Sequence, residues 1–181
     1  IREAVEIYRR LAKKNPAAFN PDLAASLNNL SNWLAGVGDR GGVLNVIREA
    51  VGIYRGLADK DPVAFGPDLA ASLNNLSIAL VDVGDREGAL KTAWEAIGIY
   101  RGFAKKNPPA FNPDLAASLN NLSAVLSGVG DREGVLNVIR EAVGIYRGLA
   151  EDNPVAFGPA LAASLNNLSA MLSGVGDREG A

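Results

Sequence analysis

The chain of 181 residues contains no cysteine and no histidine. Without cysteine there is no disulfide and no thiolate metal site, a composition that suits a reducing, cytoplasmic setting. Without histidine the commonest general base and the commonest metal ligand are gone. An enzyme would have to work with Asp, Glu, Lys, Ser or Tyr; the usual set of nucleophile, base and orienting group cannot be assembled with His and Cys missing, which leaves only Lys or carboxylate chemistry. Neither enzymatic activity nor a cofactor nor a bound metal is expected. A basic excess is lacking as well: 18 Lys and Arg stand against 20 Asp and Glu, a formal net charge of −2. A nucleic-acid partner has no support in such a balance. No run of about 18 apolar residues is present, so no membrane partner is expected. No signal-peptide pattern opens the chain, and Ile1 in place of an initiator Met points to a piece of a larger protein.

What is present is a repeat. The string SLNNLS begins at Ser26, Ser72, Ser118 and Ser164, each 46 residues after the last. The units are 1–46, 47–92, 93–138 and a shortened 139–181, read together as a single repeat domain over 1–181. Residues 47–89 differ from 139–181 at 8 of 43 positions, so alternate units are close copies and a two-unit block was duplicated.

Each unit reads as two helices. Leu23, Leu27, Leu30 and Leu34 recur at the spacing of one helical face. The sequence places this helix A at about 21–36, with Asn20 as N-cap, Pro21 at the first helical position and Gly38 as a left-handed cap. Asp39 then caps a longer helix B running to about Lys60, with Val43, Ile47, Ala50, Tyr54 and Leu57 on its apolar stripe. All nine prolines are expected in the loops between units. The recurring tyrosines (Tyr8, Tyr54, Tyr100, Tyr146) and phenylalanines (Phe19, Phe65, Phe111, Phe157) read as packing residues. Two helices cannot bury both their apolar faces alone. The expected fold is therefore all-α, a right-handed α-solenoid of stacked antiparallel helix pairs, about eight helices in all.

These residues resemble the tetratricopeptide repeat. Leu27 takes the place of the family's first large residue, Leu30 matches its leucine, and Ser31 stands where a small residue lets the helices approach. Leu34 takes the place of the usual Tyr, Gly38 matches the turn glycine, and Ala89 and Ala50 match the small residues of helix B. The stretch LNNLS followed by GDREGAL is especially similar to kinesin-light-chain-type repeats. The resemblance covers all four units. The period of 46 departs from the family's 34 or so, the extra length lying in helix B and the proline-bearing segment.

In that family helix A lines a concave groove that takes extended peptides or partner helices. The resemblance thus implies a protein-interaction scaffold. Asn28 and Asn32 lie opposite the leucine face on a helical wheel, which makes the row Asn28, Asn74, Asn120 and Asn166 the expected groove amides, able to pair with a peptide backbone. The row Asn29, Asn75, Asn121 and Asn167 is expected nearer the helix–helix seam, as a secondary contact. Elsewhere on helix A the copies differ mainly at three positions: Asn32 becomes Ile78, Ala124 and Ala170; Ala35 becomes Val81, Ser127 and Ser173; Gly36 becomes Asp82, Gly128 and Gly174. A constant scaffold with diversified contact residues would look like this. The shoulder position also varies, as Trp33, Ala79, Val125 and Met171. Helix A carries no Lys or Arg. The family's clamp on a C-terminal carboxylate is therefore disfavoured, and a neutral or weakly apolar peptide fits better.

Other features read as structure. GVGDREG looks superficially like a phosphate-cradling loop, but helices flank it on both sides. The Asn-Leu-Ser sequons lie within a helix. Arg48, Glu49 and Arg55 read as a solvated face. The paired glycines Gly52/Gly56, Gly98/Gly102 and Gly144/Gly148 mark either a close helix approach or an exposed face tolerating weak helix formers. A rival function is a self-assembling arm. The chain opens on a helix B and closes on a helix A, and the tail GDREGA stops three residues short of the phase in which Ile1 begins. Head-to-tail or domain-swapped self-association is the expectation of that reading.

Overall fold

The computed structural model describes residues 1–179, with side chains as far as Ser173; Gly174 and the tail GDREGA of the sequence reading lie outside the described side chains. Among the described residues there are eight helices and no strand: α1 (Arg2–Lys14), α2 (Pro16–Gly36), α3 (Arg40–Ala58), α4 (Pro62–Asp82), α5 (Arg86–Ala104), α6 (Pro108–Val129), α7 (Arg132–Asp152) and α8 (Pro154–Glu179). The even-numbered helices are the A helices and the odd-numbered ones the B helices. The residues group into two compact units, Ile1–Ala96 and the remainder from Ile97, divided within α5. In the first unit α2 packs on α1 and α3, and α3 packs on α4. In the second, α7 packs on both α6 and α8.

Helix A starts five residues earlier than its leucine spacing predicts. Asn15, not Asn20, is the N-cap: its side chain accepts from the Ala18 amide at 3.3 Å, as Asp61 does from Ala64 at 2.9 Å and Asn153 from Ala156 at 3.1 Å. Pro16 follows at the first helical position, where a missing N–H costs nothing. The expectation that the prolines sit in loops is corrected with it. Pro21, Pro67, Pro113 and Pro159 all lie inside helices. A proline there removes only one ladder bond, to the carbonyl four residues back. The early turns also bring an aromatic into contact: Phe111 lies 5.0 Å from Phe103, ring centre to ring centre. Two Asn-Pro signals five residues apart compete in the first unit, and the earlier one wins.

The A-to-B turn matches expectation. Gly38, Gly84 and Gly130 take positive φ of 77°, 84° and 80°. The next amide then reaches back five residues, from Asp39 to the Leu34 carbonyl at 3.0 Å, with equivalent bonds at Asp85 and Asp131. Asp39, Asp85 and Asp131 go on to cap helix B by accepting from Gly42, Gly88 and Gly134, each at 2.9 Å.

The leucine face packs as its spacing requires. Leu23, Leu27, Leu30 and Leu34 are buried together with Ile47, Ala50, Val51 and Tyr54. Ser77 donates across to the Ala89 carbonyl at 3.0 Å, tying α4 to α5. Ser31 and Ser123 bond instead to carbonyls of their own helices, and opposite them the smaller Ala89 is replaced by Val43 and Val135.

The solvated face expected at Glu49 and Arg55 carries a partly exposed ladder of ion pairs along the B helices. Arg9 pairs with Glu49, Arg55 with Glu95 at 2.8 Å and Arg101 with Glu141 at 2.6 Å, every pair 40 residues apart. The paired mid-helix glycines Gly52/Gly56, Gly98/Gly102 and Gly144/Gly148 are exposed, and a Cβ added at any of these six meets nothing within 4 Å. No helix therefore approaches them closely.

One helix among the described residues is apolar enough to cross a membrane by length and composition, over Pro154–Ser173 with mean hydropathy 1.2, which the search for unbroken apolar runs did not register. Its sequence nearly copies α4, whose leucines are core residues, so the composition is that of a packing helix.

Candidate peptide-binding face

Three sets of positions on helix A have different surroundings. The leucine face is buried against the B helices. A second stripe, Ala25, Asn29, Asn32 and Gly36, recurs at +4, +3 and +4 and is exposed throughout α2. On α4 the same stripe gives half-buried Asn75 and exposed Asp82, with Ile78 46% and Val81 43% exposed. On α6 Asn121 is half-buried while Ala124 and Ser127 are exposed, and on α8 Asn166, Asn167 and Ala170 are exposed.

The third set overturns the expected order of the two asparagine rows. Asn28 donates from Nδ2 to the Ser72 Oγ at 2.7 Å, and Asn120 does the same to Ser164 at 2.7 Å. Both serines are fully buried and donate in turn to the Asp68 and Ala160 carbonyls, at 2.9 and 3.0 Å. The Oδ1 atoms of Asn28 and Asn120 are enclosed. Asn74 is half-buried too, whereas Asn166 stands exposed. Within a unit this row faces the next A helix and ties it down. The row of Asn29 and Asn167, expected at the seam, lies on the open stripe instead. A signal was available in the sequence: the first serine of SLNNLS recurs with the asparagine at a fixed offset of 44 residues.

The shoulder position divides by repeat. Trp33 is 48% exposed with the Arg2 guanidinium 5.2 Å from its ring centre, but Ala79 and Val125 are buried. The perturbed ionisable groups lie off the stripe. Burial, with the charges of Asp68 and Asp22, pushes the Tyr54 hydroxyl up to about 12. Burial and Asp114 push Tyr146 up as well, and burial raises the Asp68 and Asp114 carboxyls themselves.

In the second unit the stripe opens into a hollow of about 230 Å³. Val135 and Ile139 of α7 form its floor and are nearly fully buried. Ala124 of α6 with Ala170 and Met171 of α8 form its sides, and Asn167 and Ser127 stand at its rim. Of the expected groove residues the hollow brings together Asn120, Ala124 and Ala170, and of the secondary row Asn167. Met171 and the α7 floor were not expected there.

Residues 69–102, which run from α4 into α5, match the model of the tetratricopeptide repeat family. Solved structures share the fold. BtubC (BKLC) from P. vanneervenii superposes with a TM-score of 0.57 at 19% identity, over 97% of this chain and 82% of that one. A Podosopora anserina protein described as a kinesin light chain with nearly identical TPR-like repeats gives 0.53 at 15% identity, over 98% and 88%. A variant of that same protein gives 0.51 at 14% identity, over 98% and 87%. No protein with a curated description matches the sequence. Repeats of this fold serve generally as protein-interaction and scaffold modules. Residues 69–102 are thus a tetratricopeptide repeat by sequence, and the chain shares the helix-pair repeat fold of kinesin-light-chain-like proteins.

Proposed function

We propose that the chain holds an uncharged, extended polypeptide segment along the exposed stripe of its A helices. The observation that carries this reading is where the near-identical copies differ. In the C-terminal half of helix A the differences lie at the exposed stripe positions of Asn32, Ala35 and Gly36 and at the shoulder position of Trp33, while the leucines and the linking asparagines stay constant. Neither Lys nor Arg occurs on α2, α4 or α6, nor on α8 as far as Ser173, so apart from the Asp82 carboxylate the stripe offers amides, hydroxyls and apolar groups. Exposed Ile78 and Val81 give the first unit an apolar contact patch. A peptide array probed with the whole chain is the test. Ile78→Asp and Ala124→Asp should remove the captured spots while helicity by circular dichroism stays unchanged. Retention of every spot by both variants would place binding elsewhere.

A second reading, self-association, rests on a different observation. Leu165 and Leu172 of α8 are 38% and 44% exposed, whereas their counterparts Leu73, Leu80, Leu119 and Leu126 are buried. Glu3 and Arg147 occupy the ladder's Glu and Arg positions, so a second copy supplies both apolar cover and a matching charge. Light scattering over about a hundredfold range of concentration tests it. Mass rising with concentration supports association, and a constant 18.9 kDa rejects it.

A further inference from the structure

We infer that the hollow of the second unit is a side-chain socket that selects an uncharged aliphatic residue of leucine size in the bound segment. The inference rests on the reading of the stripe as a polypeptide-binding face. It starts from a comparison between the units. Asn32 and Ile78 stand in the first unit where Ala124 and Ala170 stand in the second. Both positions are exposed in both units, so neither alanine is needed for packing. Where both positions carry only a methyl group there is a hollow of about 230 Å³. That exceeds the roughly 150 Å³ that accommodates a benzene-sized guest in an apolar cavity.

The chemistry of the lining sets the occupant. Val135, Ile139, Ala124, Ala170 and Met171 supply an aliphatic floor and sides, and no charged residue lines the hollow. A Lys, Asp or Glu side chain entering it would lose water with nothing to replace it. Asn120 offers the guest no acceptor, because its Oδ1 is enclosed, and one of its two amide hydrogens is held by Ser164. Ser127 and Asn167, exposed at the rim, are placed to meet the backbone on either side of the inserted residue. Met171 adapts to the shape of the guest, being unbranched and rotatable.

The test is titration of the whole isotope-labelled chain with N-acetyl-leucine N-methylamide, followed by NMR. Saturable millimolar binding is expected, with shifts gathered at the Ala124 and Ala170 methyls and the Asn167 side-chain amide. The lysine and aspartate analogues should produce none of these shifts. Ala170→Ile, which puts back the side chain of Ile78, should weaken binding at least tenfold, and Ala124→Ile should act alike. Absence of saturable shifts, equal response to the charged analogues, or unchanged binding in both variants would overturn the socket. If the array peptides still bind the Ala170→Ile chain with no preference for a leucine, the socket fails while the binding stripe stands. If no array peptide binds but the leucine amide saturates the hollow, the stripe fails alone.

Discussion

Ser72 shows how much a single hydroxyl decides here. It is fully buried, accepts from Asn28 and donates to the Asp68 carbonyl, so it joins one A helix to the next. Ser72→Ala strands the Asn28 amide donor, and a loss of about 1–3 kcal/mol is expected in denaturant unfolding. Tyr54 gives a second residue-scale prediction. Its hydroxyl is raised from 10.0 to about 12, so the folded state holds that proton more tightly than the unfolded one. The resulting stability is fully present below the unfolded value near 10 and is lost as pH rises through about 12. Absorbance at 295 nm should show a late-ionising fraction to which Tyr54 and Tyr146 both contribute, smaller in Tyr54→Phe and shifted earlier in Asp68→Asn, which removes a charge acting on Tyr54. Asp68 is itself raised above 3.8 by desolvation, so its contribution is complete below 3.8 and disappears as pH climbs past the folded value. Asp68→Asn should therefore raise the melting temperature at pH 7 more than at pH 3.

Helix existence and pairing were legible, because leucines at +4, +3 and +4 and a capping Asp after a glycine turn are local signals that the tertiary structure also uses. The start of helix A was not. Asn15-Pro16 and Asn20-Pro21 are equally good caps within the first unit, and only the other copies separate them, since the later site becomes Gly66 and Gly158 while the earlier keeps Asp61 and Asn153. The asparagine rows were missed for a related reason. A helical wheel shows which positions oppose the leucines, but not that successive A helices lie close enough for Asn28 to reach Ser72. The B helices yield two predictions of opposite size. Gly52→Ala and Gly56→Ala add a Cβ into open space within a helix, so each should stabilise by about 0.5–1 kcal/mol in thermal unfolding. Arg55→Ala should cost under about 1 kcal/mol, since its partner Glu95 is partly exposed, and less again at high salt.

At the scale of the molecule, composition governs the response to pH. With no histidine and no cysteine, no side chain changes charge at its ordinary pKa between about pH 6 and 8. A melting temperature nearly flat across that interval is expected by calorimetry. A step within it would reveal a coupling outside those described above. The ladder of ion pairs has a kinetic consequence as well. Its rungs are interchangeable, since every Arg meets a Glu 40 residues ahead, and the Asn–Ser links are likewise two copies of one bond. A repeat that collapses onto the wrong neighbour can satisfy the same contacts as one that collapses onto the right one. Correct pairing is then enforced by connectivity, above all by the short glycine turns that leave a helix B nowhere to go but beside its own helix A. The expected consequence is that refolding depends on dilution, with the yield of monomer falling as chains become crowded enough to trade repeats.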